Sequence, residues 1–270
     1  MEFSNLFHHN FVRIYGIHLL IGSRAFPILF VYSESRTKAM YKTVFEYMRY
    51  TTNVDVSVFM SDYEQASRCS IKEVFPSVTL CGCWFHFINS LFKRIRKLGL
   101  QKYYSRSQEF NSIFRQYISL CFVPIEEVRD FQGIIKEQID KIEDNEIKTV
   151  LEAFYNYFCD CWIDGKYSIS DWNQLSDITI RSNNWTESYH AFFGRRFNKS
   201  HPNIMVALES LSNVASDILL SYNDYLLHQS HSISSESNRF TLELISIINK
   251  NDTIYTNEQK NIYLLFRISN

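Results

Sequence analysis

The sequence predicts an α/β fold that opens on a sheet and continues in helices. Three observations carry this. Residues 11–98 alternate short apolar runs with helical periodicity, in the order strand, strand, helix, strand, helix, strand, helix. From about residue 100 to 180 the apolar positions recur at helical spacing and no strand alternation is seen. Glycine and proline are scarce, at 7 and 4 of 270 residues, which favours long helices over coil.

The first strand is 11–21, rich in β-branched and aromatic residues, and the second is the continuous apolar run 26–32. Gly22 and Ser23 turn between them, which makes a hairpin. Lys38 to Tyr50 reads as a helix with Met40, Val44 and Met48 near one face. Residues 54–60 alternate and form the third strand, with Ser61-Asp62 at its C-terminal end. A helix follows with Tyr63, Ala66 and Val74 on one face, and Pro76 ends it. Residues 78–83 are the fourth strand. The helix after it has Trp84, Ile88, Leu91, Ile95 and Leu98 in phase, and Lys93, Arg94, Arg96 and Lys97 on its other side. Aromatic stripes such as Phe110, Phe114 and Tyr117 mark buried helices further on, and 154–162 reads the same way. Helices are expected from about Asn184 to 199 and from 203 to 227, then a Ser-rich linker at 228–239. The tail reads as one more amphipathic helix with a weak apolar end.

Composition excludes several classes. Apolar residues make up 46%, with 22 Phe and 17 Tyr, enough for a sizeable core. The net charge of −1 gives no overall attraction to nucleic acid, so any such contact rests on local basic patches. Six dispersed cysteines are no disulfide framework at this length and read as reduced thiols of an intracellular protein. No apolar run reaches the roughly 18 residues of a membrane span, and no signal peptide is recognisable.

The candidate site residues each have two readings. Asp62 follows a strand, where an open sheet aims its ligands. Yet Ser61-x-x-Glu64 is also a capping box, with Asp62 in the first helical turn, and spacing alone favours that. Glu187 has the same ambiguity, since Asn184 precedes it by three; Glu187, His190 and Gly194 share one side of the expected helix. Cys83-x-x-His86 is half of a zinc motif, and a buried thiol beside a hydrogen-bonded histidine is favoured over zinc. Cys159-x-Cys161 reads as core. Lys93 to Lys97, extended by Arg195, Arg196 and Lys199, reads as a solvated face or as a phosphate-contacting patch.

Taken together and in order, these segments resemble the Mutator-like element (MULE) transposases over about 7–215. The resemblance rests on Phe11-Val-Arg-Ile-Tyr-Gly-Ile-His18, Pro27 to Tyr32, Asp62-Tyr-Glu64, Phe75-Pro76 and Cys83-Trp-Phe-His86. It continues through Tyr157-Phe158 with Trp162, Asn183-Asn184-Trp-Thr-Glu187-Ser-Tyr-His190, and His201-Pro202-Asn203. It implies a ribonuclease-H-like (DDE transposase) core with a mixed sheet, a helical insertion and a helical C-terminal part. The expected divisions are a core part at 7–100, an insertion at 101–180, core helices carrying the Glu motif at 181–227, and a linker with a tail helix at 228–270. Asp62 and Glu187 would be the second and third catalytic carboxylates and would hold Mg²⁺ or Mn²⁺. Lys93, Arg94, Arg195 and Arg196 are the candidates for DNA phosphate contacts. DNA at transposon ends is the implied partner, the nucleus the implied location, and a homo-oligomer is compatible.

One departure stands out. The family's first catalytic Asp, in Asp-Gly-Thr-Phe on the middle strand of the sheet, should precede Phe11, and no such motif occurs. The resemblance therefore implies a truncated or inactive copy lacking its first core strand. The alternatives are a domesticated, non-catalytic nuclear DNA-binding or transcription-regulatory protein, and a helical scaffold with no nucleic-acid role.

Overall fold

The computed structural model describes residues 13–21, 24–33, 35–52, 56–175, 204–228 and 263–268. The chain divides into two compact units, residues 1–80 with 183–270, and residues 81–182. Among the described residues the class is mixed α/β, mostly helical, with one sheet.

The first unit begins with β1 (Arg13–Ile21) and β2 (Arg24–Ser33), an antiparallel hairpin as the sequence indicates. A register irregularity falls between Ile17 and His18. Helix α1 (Lys38–Thr52), strand β3 (Val58–Ser61) and helix α2 (Gln65–Val74) follow. Strand β4 (Thr79–Gly82) ends the series.

The sheet order is β2-β1-β5-β3-β4, where β5 is Tyr263–Ile268. Strand β5 pairs antiparallel to β1, with Leu19 opposite Leu264, and parallel to β3, with Met60 beside Leu265. The weak apolar end expected for the tail is thus a strand, and it lies in the middle of the sheet. Five apolar residues and Arg267, without clear alternation, carry little strand signal of their own. Their ladders to β1 and β3, far away in sequence, give them their conformation.

Helices α1 and α2 bury a shared face on this sheet. Tyr41, Phe45 and Met48 pack with Tyr15, Ile17, Phe59 and Ile71, while Met40 and Val44 lie at the margin. The Tyr15 and Tyr41 rings meet edge to face at 5.4 Å, and Phe45 and Phe59 at 5.5 Å. Polar bonds fix the helix pair: Arg49 Nη1 donates to the Val74 carbonyl at 2.7 Å, and Ser70 Oγ to the Lys38 carbonyl at 2.9 Å. The next described helix, here α9 (Ile204–His228), packs on β2 through Phe26 against Tyr222 and Tyr225.

The second unit is helical: α3 (Trp84–Lys97), α4 (Gln101–Arg106), α5 (Gln108–Ser119), α6 (Val128–Asp140), α7 (Asn145–Phe158) and α8 (Ile169–Trp172). Gly99, at φ 69°, takes the left-handed conformation that stops α3. Ser107 caps α5 by accepting from Phe110 N–H, and Asp144 caps α7 by accepting from Glu146 and Ile147 N–H. The core is aromatic. Phe87 stacks on Trp172 at 5.2 Å and meets Trp162 edge-on at 5.0 Å. Trp172 Nε1 donates to the Trp162 carbonyl at 2.7 Å, so the buried indole nitrogen is satisfied.

The expected helix over 154–162 runs as α-helix only to Phe158. Cys159–Ile163 is a π-turn. Asp164 N–H reaches back to the Cys159 carbonyl at 2.9 Å, and the chain then folds so tightly that a Cβ at Gly165 would lie 1.7 Å from the Asp160 carbonyl oxygen. Cys159 and Cys161 are half-buried here, and Gln132 Nε2 donates to the Cys159 sulfur at 3.0 Å.

The dependence of the sheet on β5 gives a first prediction. Leu265 lies between His18 and Met60, and proline there removes a ladder donor in an interior strand. Leu265→Pro should cost about 1–3 kcal/mol, the cost of a buried carbonyl left unpaired, which lowers the melting temperature by roughly 2–12 °C. Circular dichroism melts would measure this; a melt matching wild type would mean that the sheet closes without β5.

Candidate functional site

Asp62 is the first residue beyond β3, in the short connection to α2. The capping-box reading is overturned. The helix starts at Gln65, its N-cap is Glu64 with no side-chain cap bond, and Ser61 is the last residue of the strand. Ser61 instead donates from Oγ to the Asp62 carbonyl at 3.1 Å and accepts from Arg68 Nη1 at 3.2 Å. The buried sheet edge and Arg68 thus take the hydroxyl, and Asp62 is freed from a helix-dipole role.

The carboxylate of Asp62 accepts from Glu64 N–H at 3.2 Å, which closes a tight local turn. Glu64 Oε2 accepts from the Tyr41 hydroxyl at 2.7 Å, so α1 orients the second acid of this turn. Arg68, 4% exposed, lies over the Tyr63 ring at 5.5 Å. Burial pushes the Asp62 carboxyl up from 3.8 to about 6; the charge of Glu64 adds to the rise, while the Glu64 N–H, Arg68 and Arg36 oppose it. Burial and the Glu64 bond also raise the Tyr41 hydroxyl far above its ordinary range, so it stays a donor.

A half-buried carboxylate with one hydrogen bond and a raised pKa is short of positive charge, and a hard cation would supply it. Asp62 therefore fits one ligand of a divalent ion. Among the described residues, no group of three or more His, Cys, Asp or Glu is placed to hold a metal.

The other candidates fall as follows. Cys83 is fully buried as the N-cap residue of α3. His86 is half-buried on its first turn, with its ring edge-on to Phe85. Lys93 is exposed, as are Arg96 and Lys97. Arg94 lies over the Tyr157 ring at 4.7 Å and is half-buried. Glu187, Asn183, Asn184, His190, Arg195 and Arg196 lie outside the described residues, so the expected meeting of Asp62 with Glu187 has no geometry here. Sequence reading did not assign roles to Tyr41, Arg36 and Arg68. The i, i+7 spacing of Ser61 and Arg68 gives no cue, because their bond joins a strand end to a helix.

The fold and this site define an α/β protein with an acidic turn at the end of an interior strand. Compared with known families, residues 4–90 match the sequence model of the MULE transposase domain. The match takes in Asp62, Cys83 and His86 and stops short of Lys93, Arg94 and the Glu187 motif. No curated protein matches the chain.

The raised Asp62 pKa sets a pH dependence. The folded state holds this proton more tightly than the unfolded chain. Its favourable contribution is thus fully present below about pH 4 and is lost as pH rises through about 6. At pH 7 the ionised group costs on the order of 3 kcal/mol. Asp62→Asn should stabilise the chain at pH 7 and flatten the fall between pH 4 and 6, read from urea midpoints at several pH values. A variant less stable than wild type at pH 7 would contradict the burial of this charge.

Proposed function

We propose that the chain is a MULE-type transposase domain with a ribonuclease-H-like core, acting on DNA but inactive in cleavage. The observation that carries the reading is the position of Asp62, in a turn beyond an interior strand and inside the segment that matches the family. The strand order, with an antiparallel hairpin joined through a central strand to a parallel partner, supports that core. The exposed cations Lys93, Arg96 and Lys97 support contact with DNA phosphates, and Arg94, Arg195 and Arg196 are proposed to join them.

In active relatives, Asp62 and Glu187 would hold Mg²⁺ or Mn²⁺, and such ions activate the attacking oxygen and stabilise the leaving one. Within this chain Tyr41 and Glu64 hold the turn in shape, and the surroundings keep Asp62 poised between its two protonation states near pH 6. The central strand, Tyr-Leu-Leu-Phe-Arg-Ile, supplies no carboxylate. That favours the inactive reading, and equally a second one: a domesticated, non-catalytic DNA-binding or transcription-regulatory protein of the nucleus. Assembly into a homo-oligomer fits either reading.

The test uses the purified chain with labelled DNA carrying the terminal repeats of related elements. Binding should weaken steeply with salt, and no cleavage should appear with Mg²⁺ or Mn²⁺. Metal-dependent cleavage that Asp62→Ala abolishes would overturn the inactive reading and establish a working enzyme. A chain that binds no DNA at low salt would overturn both readings.

A further inference from the structure

The second unit holds an open cavity of about 890 Å³ along the outer side of α5, and its two walls differ in chemistry. One wall is a polar stripe of α5: Gln108, Asn111, Ser112, Arg115, Gln116 and Ser119. These positions follow the helical repeat, opposite the buried face of Phe110, Ile113, Phe114 and Tyr117. The other wall comes from α6, where Phe131 and Ile134 are 43% and 48% exposed. Arg106, at the end of α4, lines one end.

Charge separates this groove from an ordinary solvated surface. Two arginines line it and no carboxylate does; Glu109, Asp130 and Glu137, on the same two helices, are not among its lining residues. Among the described residues neither Arg106 nor Arg115 forms an ion pair, although Lys102, Arg129 and Lys136 nearby all do. The polar wall is also held in place. Gln116 Nε2 donates to Gln138 Oε1 at 2.7 Å, Asn111 Nδ2 donates to the Tyr104 carbonyl, and Ser119 Oγ donates to the Arg115 carbonyl. These bonds leave both guanidinium heads available for a ligand.

We propose that this groove binds a single strand of DNA, with backbone phosphates against Arg106 and Arg115 and bases against Phe131 and Ile134. An amphipathic groove with cations on one side and an exposed aromatic on the other matches a strand whose phosphates and bases point opposite ways. A duplex hides its base faces and has no use for the apolar wall. The proposal rests on the DNA-directed reading above and adds where a strand separated from its partner would be held, away from Asp62 in sequence and on the helical unit.

Fluorescence anisotropy on the full chain, with labelled oligo-dT and a duplex of equal length, tests it. Arg106→Ala with Arg115→Ala should weaken oligo-dT binding about tenfold and reduce the log–log salt slope by about 1.4, for two lost single-strand phosphate contacts. Phe131→Ala should weaken it about tenfold with the salt slope unchanged, because stacking releases no counterion. All three side chains are exposed, and unchanged circular dichroism would confirm folding. Variants that bind oligo-dT as wild type does, while wild type binds DNA, would overturn the groove and leave the DNA reading standing. Equal losses for duplex and single strand would overturn the single-strand assignment. A wild-type chain that ignores both DNAs but takes up an acidic amphipathic peptide through these arginines would overturn the groove proposal and the DNA reading together.

Discussion

The pairing of β5 with both β1 and β3 is the constraint on which the sheet depends. In the order β2-β1-β5-β3-β4, the described ladders join the N-terminal hairpin to the β3–β4 side through residues 263–268. Without that strand the ladder separates into two-stranded ribbons, which are marginal by themselves. Helices α1 and α2 also reach both sides, since Tyr15 and Ile17 share one core with Phe59. Sheet and helices thus support each other, and the turn at Asp62 is held from both directions: Ser61 anchors it to the buried strand and Tyr41 holds it from α1.

The site shows how packing sets chemistry. A carboxylate at a strand end in open solvent would keep an ordinary pKa. Here burial outweighs Arg36 and Arg68, and the group titrates near pH 6. The fold thereby carries a charge it does not fully compensate, which is common at functional sites and uncommon in structural turns. The aromatic core of the helical unit works in the opposite sense. Trp172, Trp162 and Cys159 there find hydrogen-bond partners, and Arg106 and Arg115 sit at that unit's surface.

Much of this was legible in the sequence. The hairpin, α1, β3, α2, β4 and α3 each fall within a few residues of their expected places, because each has local periodicity and turn residues of its own. Asp62 was legible as a position but not as an environment. The capping box and the strand end predict the same residues, and only the start of α2 at Gln65 separates them. The π-turn at Cys159 was hidden for a similar reason, since its spacing reads as helix until the chain reaches Gly165. Strand β5 was not legible at all. A short apolar run is equally compatible with a helix end, a tail or a strand, and only pairing with residues distant in sequence decides. The Glu187 segment was read from motif order alone.

The late position of β5 in the chain has a consequence during synthesis. A ribosome delivers β1 and β3 early and the strand between them roughly 200 residues later, an interval of about 10–40 s at ordinary elongation rates. Throughout that time the facing edges of β1 and β3 have open backbone donors and acceptors and apolar flanks such as Ile17 and Phe59. The nascent chain is therefore open to mispairing, and to chaperones that bind extended apolar segments, until residues 263–268 are delivered. The sheet closes at its centre.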